Sequence, residues 1–357
     1  MILKIISYIY GAGVWLRNWL YDNGRYGSIE FTLPIISVGN LTAGGTGKTP
    51  HIEYLVRLLS PHYQIATLSR GYRRKTHGFV LADEHSTTPD LGDEPMQLHR
   101  KFANLSVAVS ESRALGISML VMEHPKLQAI LLDDAYQHRA VKPQLSILLT
   151  DYSHPFTRDQ LLPLGRLREP ISQMRRAHII VVTKCPNNLT PEAKKSMADE
   201  LKPLPHQQLF FSYLRYGTPY NWQNSQQTTH LSPTTAAVLL CGIALPQHLQ
   251  NYLKQQNIAL EPLFFPDHHQ YTVTDLEKLR HTYQQIIIQY PNHQHIILTT
   301  EKDATRLQAH QKFIIQHQLP ILILPIEVYF DTSEQDAFEK SVLQCIKNTH
   351  FMPPKVN

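Results

Sequence analysis

The chain is predicted to be an α/β protein: a parallel-sheet domain carrying a phosphate-binding loop, with a second, smaller α/β domain joined by a ribbon-like hinge. Three observations predict this. Short apolar runs of strand length alternate with amphipathic runs of helix length through most of the 357 residues. The apolar run Ile35–Val38 enters Gly44-Gly45-Thr46-Gly47-Lys48-Thr49-Pro50, and Ile52, Leu55, Val56 and Leu59 follow at helical spacing. A polar, turn-rich segment from about Arg215 to Pro233 then divides the alternating pattern in two.

The glycine-rich stretch is the most informative. At a strand–loop–helix junction, a Gly-Lys-Thr ending reads as a phosphate-binding loop, so the first domain is P-loop NTPase-like. Gly44, Gly45 and Gly47 permit backbone angles closed to other residues, and successive N–H groups can then line one anionic hollow. The helix behind them adds a positive dipole end. Lys48 reaches toward β- and γ-phosphates, and the Thr49 hydroxyl suits Mg²⁺. Thr42 stands where the strict pattern has glycine. The plainer alternative is a glycine-rich turn before a helix.

Composition bounds the class. An apolar content of 42% is enough for a packed core, and a net charge of +5 without dense basic tracts argues against a nucleic-acid partner. Cys185, Cys241 and Cys345 are odd in number and widely spaced, so neither a disulfide framework nor a zinc site is read from them.

In chain order, residues 1–24 form an apolar, aromatic helix of about 28 Å over Ile2–Leu20. Lys4, Arg17 and Asn18 interrupt it, and Lys4, Ser7, Gly11 and Asn18 share a narrow face. A helix lying in a membrane interface is expected, with Trp15 and Trp19 near headgroup level; a helix docked on the protein itself is the alternative. Residues 25–208 make the P-loop domain. Its strand Gln64–Ser69 ends in the basic loop Arg70–Lys75, and Gly92-Asp93-Glu94-Pro95 precedes a helix that Asp93 is expected to cap. Arg113 opens a further helix. The strand Ala129–Leu132 ends in Asp133 and Asp134, an acidic pair on the Mg²⁺ side of a P-loop. Thr183-Lys184 suggests a guanine-reading motif, but Pro186 stands at its aspartate position, so GTP specificity is not supported. Residues 209–235 are expected to be the hinge, and 236–357 the smaller domain closing over the site. The Lys355-Val356-Asn357 end is expected to fray.

With these residues assembled, the chain resembles the tetraacyldisaccharide 4′-kinase family of lipid A biosynthesis. The resemblance runs through Ser37–Pro50, Ser69-Arg70-Gly71-Tyr72, Gly92–Pro95, Leu132–Arg139, Leu162-Pro163 with Gly165–Glu169, Asp267-His268, and Thr300-Glu301-Lys302-Asp303. Thr42 is usual in that family. Ala135 and Tyr136 stand where it commonly has Gly and Phe or Leu, a change that bears on the backbone angles of that loop.

The resemblance implies transfer of the ATP γ-phosphate to the 4′-hydroxyl of a lipid-linked glucosamine disaccharide 1-phosphate, at the cytoplasmic face of the bacterial inner membrane. It implies ATP held by Thr42, Ala43, Gly44, Gly45, Thr46, Gly47, Lys48 and Thr49, and Mg²⁺ at Thr49, Asp133 and Glu94. Asp93 becomes the expected base, with His268 as its partner on domain closure. Lys48, Asp133 and Asp134 serve the transferring phosphate. Asn40, Arg70, Arg113, Gln137, His138 and Arg166 are expected on the substrate side. Besides a membrane-bound module that only senses nucleotide, two other classes stay open from the residues alone. One is a P-loop ATPase switch, whose signature lysine is replaced here by Ala43. The other is a kinase for a soluble sugar or nucleoside.

Overall fold

In a computed structural model of the protein, the described residues are 2–244 and 246–350; the Lys355–Asn357 end lies outside them. The chain divides into two compact units. The first runs through Arg215 and resumes at Glu327, and the second is Tyr216–Ile326.

Unit 1 begins with α1 (Ile2–Asp22), β1 (Ile35–Asn40), α2 (Lys48–Leu59), β2 (Ile65–Ser69), β3 (Val80–Leu81), α3 (Thr88–Leu91), α4 (Asp93–Lys101) and β4 (Ser106–Val109). It continues through α5 (Arg113–Glu123), β5 (Ala129–Asp133), β6 (Leu145–Asp151), β7 (Ile179–Thr183), α6 (Pro191–Leu201) and β8 (Gln208–Tyr216). Unit 2 holds β9 (Tyr220–Asn221), β10 (Thr235–Cys241), α7 (Pro246–Gln255), β11 (Ala259–Phe264) and α8 (Val273–Gln289). It ends with β12 (Gln294–Thr300), α9 (Glu301–Leu307), α10 (Gln311–Gln316) and β13 (Ile321–Leu324). The chain then returns through β14 (Ile326–Phe330) and α11 (Thr332–His350).

The sheet of unit 1 has the order β14-β8-β7-β6-β1-β5-β2-β4-β3. β1 pairs in parallel with β5 on one side and β6 on the other. Strands leave β1 in both directions, which opens a crevice at its carboxyl end where α/β sheets bind ligands. Both faces are covered, so the strands read as unbroken apolar runs. Ile36 and Val38 pack with Ile52, Leu55 and Val56 of α2 and with Phe338, Val342 and Ile346 of α11. Ile35 faces the opposite layer with Ile117 and Leu120 of α5. The sheet of unit 2, β11-β10-β12-β13-β9, is parallel apart from its β9 edge and buries its own core.

The divisions differ from those expected. Residues 209–235 are no free-standing ribbon. Phe210, Phe211 and Tyr213 are buried in unit 1, while β9 pairs with β13 in unit 2. The C-terminal segment expected in the smaller domain belongs to unit 1 from Glu327 onward, because α11 supplies one wall of its core.

Helix α1 docks on unit 1 by its polar side. Ser7 Oγ donates to Leu161 O, Tyr10 OH to Arg168 O, and Arg17 Nη2 to Gln137 O. Gly11 fits because a Cβ there would lie 2.9 Å from Leu161 Cδ1. The apolar side faces outward, with Tyr8, Ile9 and Trp15 exposed to 78%, 68% and 60%. Among the described residues no helix is long and apolar enough to cross a membrane.

Gly39, next to last in β1, lets the chain after β5 press onto the strand. A Cβ there would come within 2.7 Å of Tyr136 Cβ and 2.9 Å of Tyr136 N. Gly39→Ala is expected to lower unfolding free energy by about 1–3 kcal/mol, as overpacking does, measured by denaturant titration.

Candidate active site

The loop between β1 and α2 is held from outside by its carbonyl groups. Asn40 Nδ2 reaches Gly44 O at 3.4 Å, and Lys184 Nζ donates to Gly45 O at 2.6 Å. Thr183 Oγ1 donates to Thr46 O at 2.9 Å, and His51 Nδ1 lies 2.7 Å from Gly47 O. Across each trans peptide the N–H of the next residue points opposite to the carbonyl. Turning four carbonyls to the protein therefore turns N–H groups of Gly45, Gly47 and Lys48 to the other side, toward the space an anion would take. Gly44 and Gly47 have φ of +113° and +84°, which the absence of a Cβ allows. Ala43 N donates to Arg166 O at 2.6 Å, and Thr42 bridges to Leu167, which anchors the front of the loop.

Lys48 opens α2, with Nζ 3.4 Å from Asn40 Oδ1 and 3.6 Å from Asp134 Oδ1. Arg168 Nη1 lies 3.0 and 3.1 Å from the two carboxylate oxygens of Asp134. Burial pushes the Asp134 carboxyl up, but Lys48 and Arg168 outweigh it and leave it below its ordinary value. Asp133 takes the opposite share. Burial, then the charge on Asp134, push its carboxyl up to about 6, and Glu94 adds to the same effect. Its Oδ1 is buried without a hydrogen-bond partner. Asp134 carries φ +47°, so the left-handed residue of this loop is the aspartate, and Ala135 needs no glycine there.

Asp93 is not a cap. Gly92, at φ +94°, is the N-cap residue of α4, and Asp93 is its first helical residue, buried. A Cβ on Gly92 would lie 2.8 Å from Tyr72 O, so this turn packs against the Arg70-Gly71-Tyr72 loop at the end of β2. Thr49 is buried in the first turn of α2.

The substrate-side candidates separate. Arg70 is exposed, and its charge reaches both Arg113 and His138. His138 is partly exposed, and burial, then Arg113 and Arg70, hold its imidazole down at about 4, so it stays neutral near pH 7. The other four have partners within the protein, and of these Asn40 and Arg113 are buried, Gln137 is partly exposed and Arg166 is exposed. Asn40 is fully buried beneath the loop and donates to Thr46 Oγ1 at 2.9 Å. Gln137 Nε2 donates to Asn40 O at 2.9 Å. Arg113 is buried and donates to Ser110 O and Asp133 O, at 2.7 and 3.3 Å. Arg166 pairs with Asp159 at 2.9 Å and contributes its backbone carbonyl to the loop. His268 is the one expected site residue in unit 2.

Three participants were not singled out from sequence. Arg168 stands in the sequence only as part of a motif, yet it is the arginine on Asp134. Lys184, dismissed with the guanine motif, supports the loop together with Thr183. His51 has no local signal at all, since its partner Ser212 Oγ, 3.0 Å from Nε2, is 161 residues away. Burial pulls the His51 imidazole down from 6.5 to about 4, although its bond to Gly47 O opposes this. The folded chain therefore keeps His51 neutral while the unfolded chain protonates near 6.5. Its share of stability is complete above pH 6.5 and falls as pH drops toward 4, by on the order of 3 kcal/mol in all. Denaturant titration at pH 7.5 and pH 4.5 should show a smaller pH loss in His51→Gln than in the unaltered protein.

A family model described as LpxK, tetraacyldisaccharide-1-P 4′-kinase, matches residues 1–347. The tetraacyldisaccharide 4′-kinase of Flavobacterium johnsoniae is 45% identical over 346 residues, 97% of this chain and 97% of that protein. That of Phocaeicola vulgatus is 42% identical over 347 residues, covering 96% and 94%. Among solved structures, LpxK from Aquifex aeolicus, crystallised in complex with ATP, matches with a TM-score of 0.73 at 26% identity, covering 96% of this chain and 98% of that one. With the loop, the paired acids and a match along nearly its whole length, the chain belongs to the tetraacyldisaccharide-1-P 4′-kinase family.

Proposed function

We propose that this chain transfers the γ-phosphate of ATP to the 4′-hydroxyl of a tetraacyldisaccharide 1-phosphate, giving the 1,4′-bisphosphate, and that it does so at the carboxyl end of β1 and β5. The observation that carries the reading is Lys48 set between a carbonyl-anchored phosphate loop and the Asp133–Asp134 pair. The relative from Aquifex aeolicus was solved with ATP. Here the loop N–H groups and Lys48 would hold the triphosphate and take up charge as the phosphoryl group transfers.

The donor set fits Mg²⁺. Thr49, Asp133 and Glu94 offer hard oxygen ligands, and Asp133 Oδ1 is a buried oxygen without a hydrogen-bond partner. Mg²⁺, when bound, would neutralise phosphate charge. Asp93 serves as the base. It takes the 4′-hydroxyl proton as the sugar oxygen bonds to the γ-phosphorus and the bond to ADP breaks. His268 is proposed to tune Asp93. Arg70 and the neutral His138 are proposed to face the disaccharide and its 1-phosphate.

The acylated substrate stays in a bilayer, and α1 suits a protein that goes to it. Its polar side is spent on unit 1, and its outward side carries Ile2, Ile5, Ile9, Trp15 and Trp19. We place this helix in the interface at the cytoplasmic face of the inner membrane, where ATP is available.

Two experiments test the reading. With γ-labelled ATP and detergent-dispersed disaccharide 1-phosphate, Lys48→Ala and Asp93→Asn should each lose about 10²-fold or more in kcat. The Asp93 variant should still bind nucleotide. ATP hydrolysis without labelled lipid would support the switch ATPase instead. Separately, Trp15→Ser/Trp19→Ser should weaken co-sedimentation with phospholipid vesicles while leaving the unfolding midpoint nearly unchanged; full retention on vesicles would refute the interfacial role.

A further inference from the structure

The Thr300–Asp303 motif lies in unit 2 and gathers a buried set of hydrogen bonds there. Thr300 is the N-cap of α9. Its Oγ1 accepts from Asp303 N at 3.2 Å and donates to Asp303 Oδ2 at 2.8 Å. The Asp303 carboxylate also accepts from Gly242 N at 3.1 Å, from Tyr271 OH at 3.0 Å, and from Arg306 Nη1 at 3.1 Å. The Arg306 and Asp303 side chains are fully out of solvent. A buried charge pair of this kind is costly unless its remaining donors and acceptors are matched, so what those groups point at is informative.

Arg306 points at the Asp267-His268 turn. Its Nη1 donates to Gly242 O at 2.9 Å, the same carbonyl that accepts from His268 N at 3.1 Å. Its Nη2 lies 3.3 Å from Nδ1 of His268. The backbone of His268 is left-handed, at φ +59°, so the turn is held in a conformation that a histidine rarely adopts. Gly242 has no room to spare: a Cβ there would be 3.1 Å from Asp303 Oδ1.

A guanidinium is a donor only. The ring nitrogen facing it must therefore accept, and a neutral imidazole then carries its proton on the other nitrogen. We propose that Arg306, fixed by Asp303, is a positioning residue that holds His268 as its Nε2–H tautomer, with Nδ1 committed as an acceptor. This gives the motif a function: it presets which nitrogen of His268 can donate. It rests on the proposed role of His268 in phosphoryl transfer only for its effect on turnover. The tautomer itself is a property of unit 2.

The experiment is ¹⁵N–¹H correlation NMR of the full-length protein labelled at histidine, at about pH 8. The His268 signals are assigned by their loss in His268→Gln. The Nε2–H pattern is expected in the unaltered protein, and an exchanging mixture in Arg306→Lys, which keeps the charge beside Asp303 but not the fork. An Nδ1–H pattern, or free exchange, at the His268 signals of the unaltered protein overturns the proposal even if Arg306→Lys does not fold. In the kinase assay Arg306→Lys is expected to lower kcat about tenfold or more with KM for ATP held, and to add little on top of His268→Ala. Full additivity would make Arg306 merely structural. A His268→Ala enzyme with unchanged turnover would instead refute the role of His268 and remove the effect on turnover, while the NMR result decides the positioning alone.

Discussion

The phosphate loop depends on where its carbonyls go. A loop that offers N–H groups to an anion must dispose of the matching C=O groups, and a buried carbonyl without a partner is costly. Here the acceptors at Gly44 through Gly47 are met by Asn40, Lys184, Thr183 and His51. These donors come from β1, the end of β7 and α2, and His51 is itself braced by Ser212 on β8. The loop is therefore braced by the sheet beneath it. Preset donors stabilise transferring charge without reorganising as the reaction proceeds.

The paired acids follow the same economy. Two adjacent carboxylates, one of them buried, cannot both ionise freely. Lys48 and Arg168 face Asp134 and hold it ionised, and Asp133 is left with the unfavourable share. A carboxylate that is costly to ionise by itself gains from a cation, which is the situation a kinase with Mg²⁺ requires. Arg113 grips the Asp133 carbonyl from below, so the strand end that carries both acids is fixed by backbone bonding as well as by charge.

Helix α1 inverts the usual arrangement. Hydrogen bonds from Ser7, Tyr10 and Arg17, and the ion pairs of Asp22 with Arg139 and Arg175, dock it by polar contacts, while its large apolar side chains remain outside. Arg17 and Gln137 connect it to Asn40 and hence to the phosphate loop within a few bonds. A helix seated this way keeps its apolar side available to a bilayer.

The sequence by itself determined the α/β class, the position and chemistry of the phosphate loop, and the acids at the end of β5. All of these rest on local periodicity and on residue types whose spacing along one element is their geometry. The tertiary structure alone decided what depends on distant partners. It buried Asn40 and Arg113 and gave Gln137 and Arg166 partners in distant segments, since such contacts are set by which strands flank a loop. It brought in His51, whose role exists only because Ser212 lies on a neighbouring strand. It made Gly92 the cap instead of Asp93, because the turn at Tyr72 leaves no room for a Cβ. It returned α11 to unit 1, where Phe338, Val342 and Ile346 complete a core begun some 300 residues earlier along the chain, a pairing that no local pattern encodes.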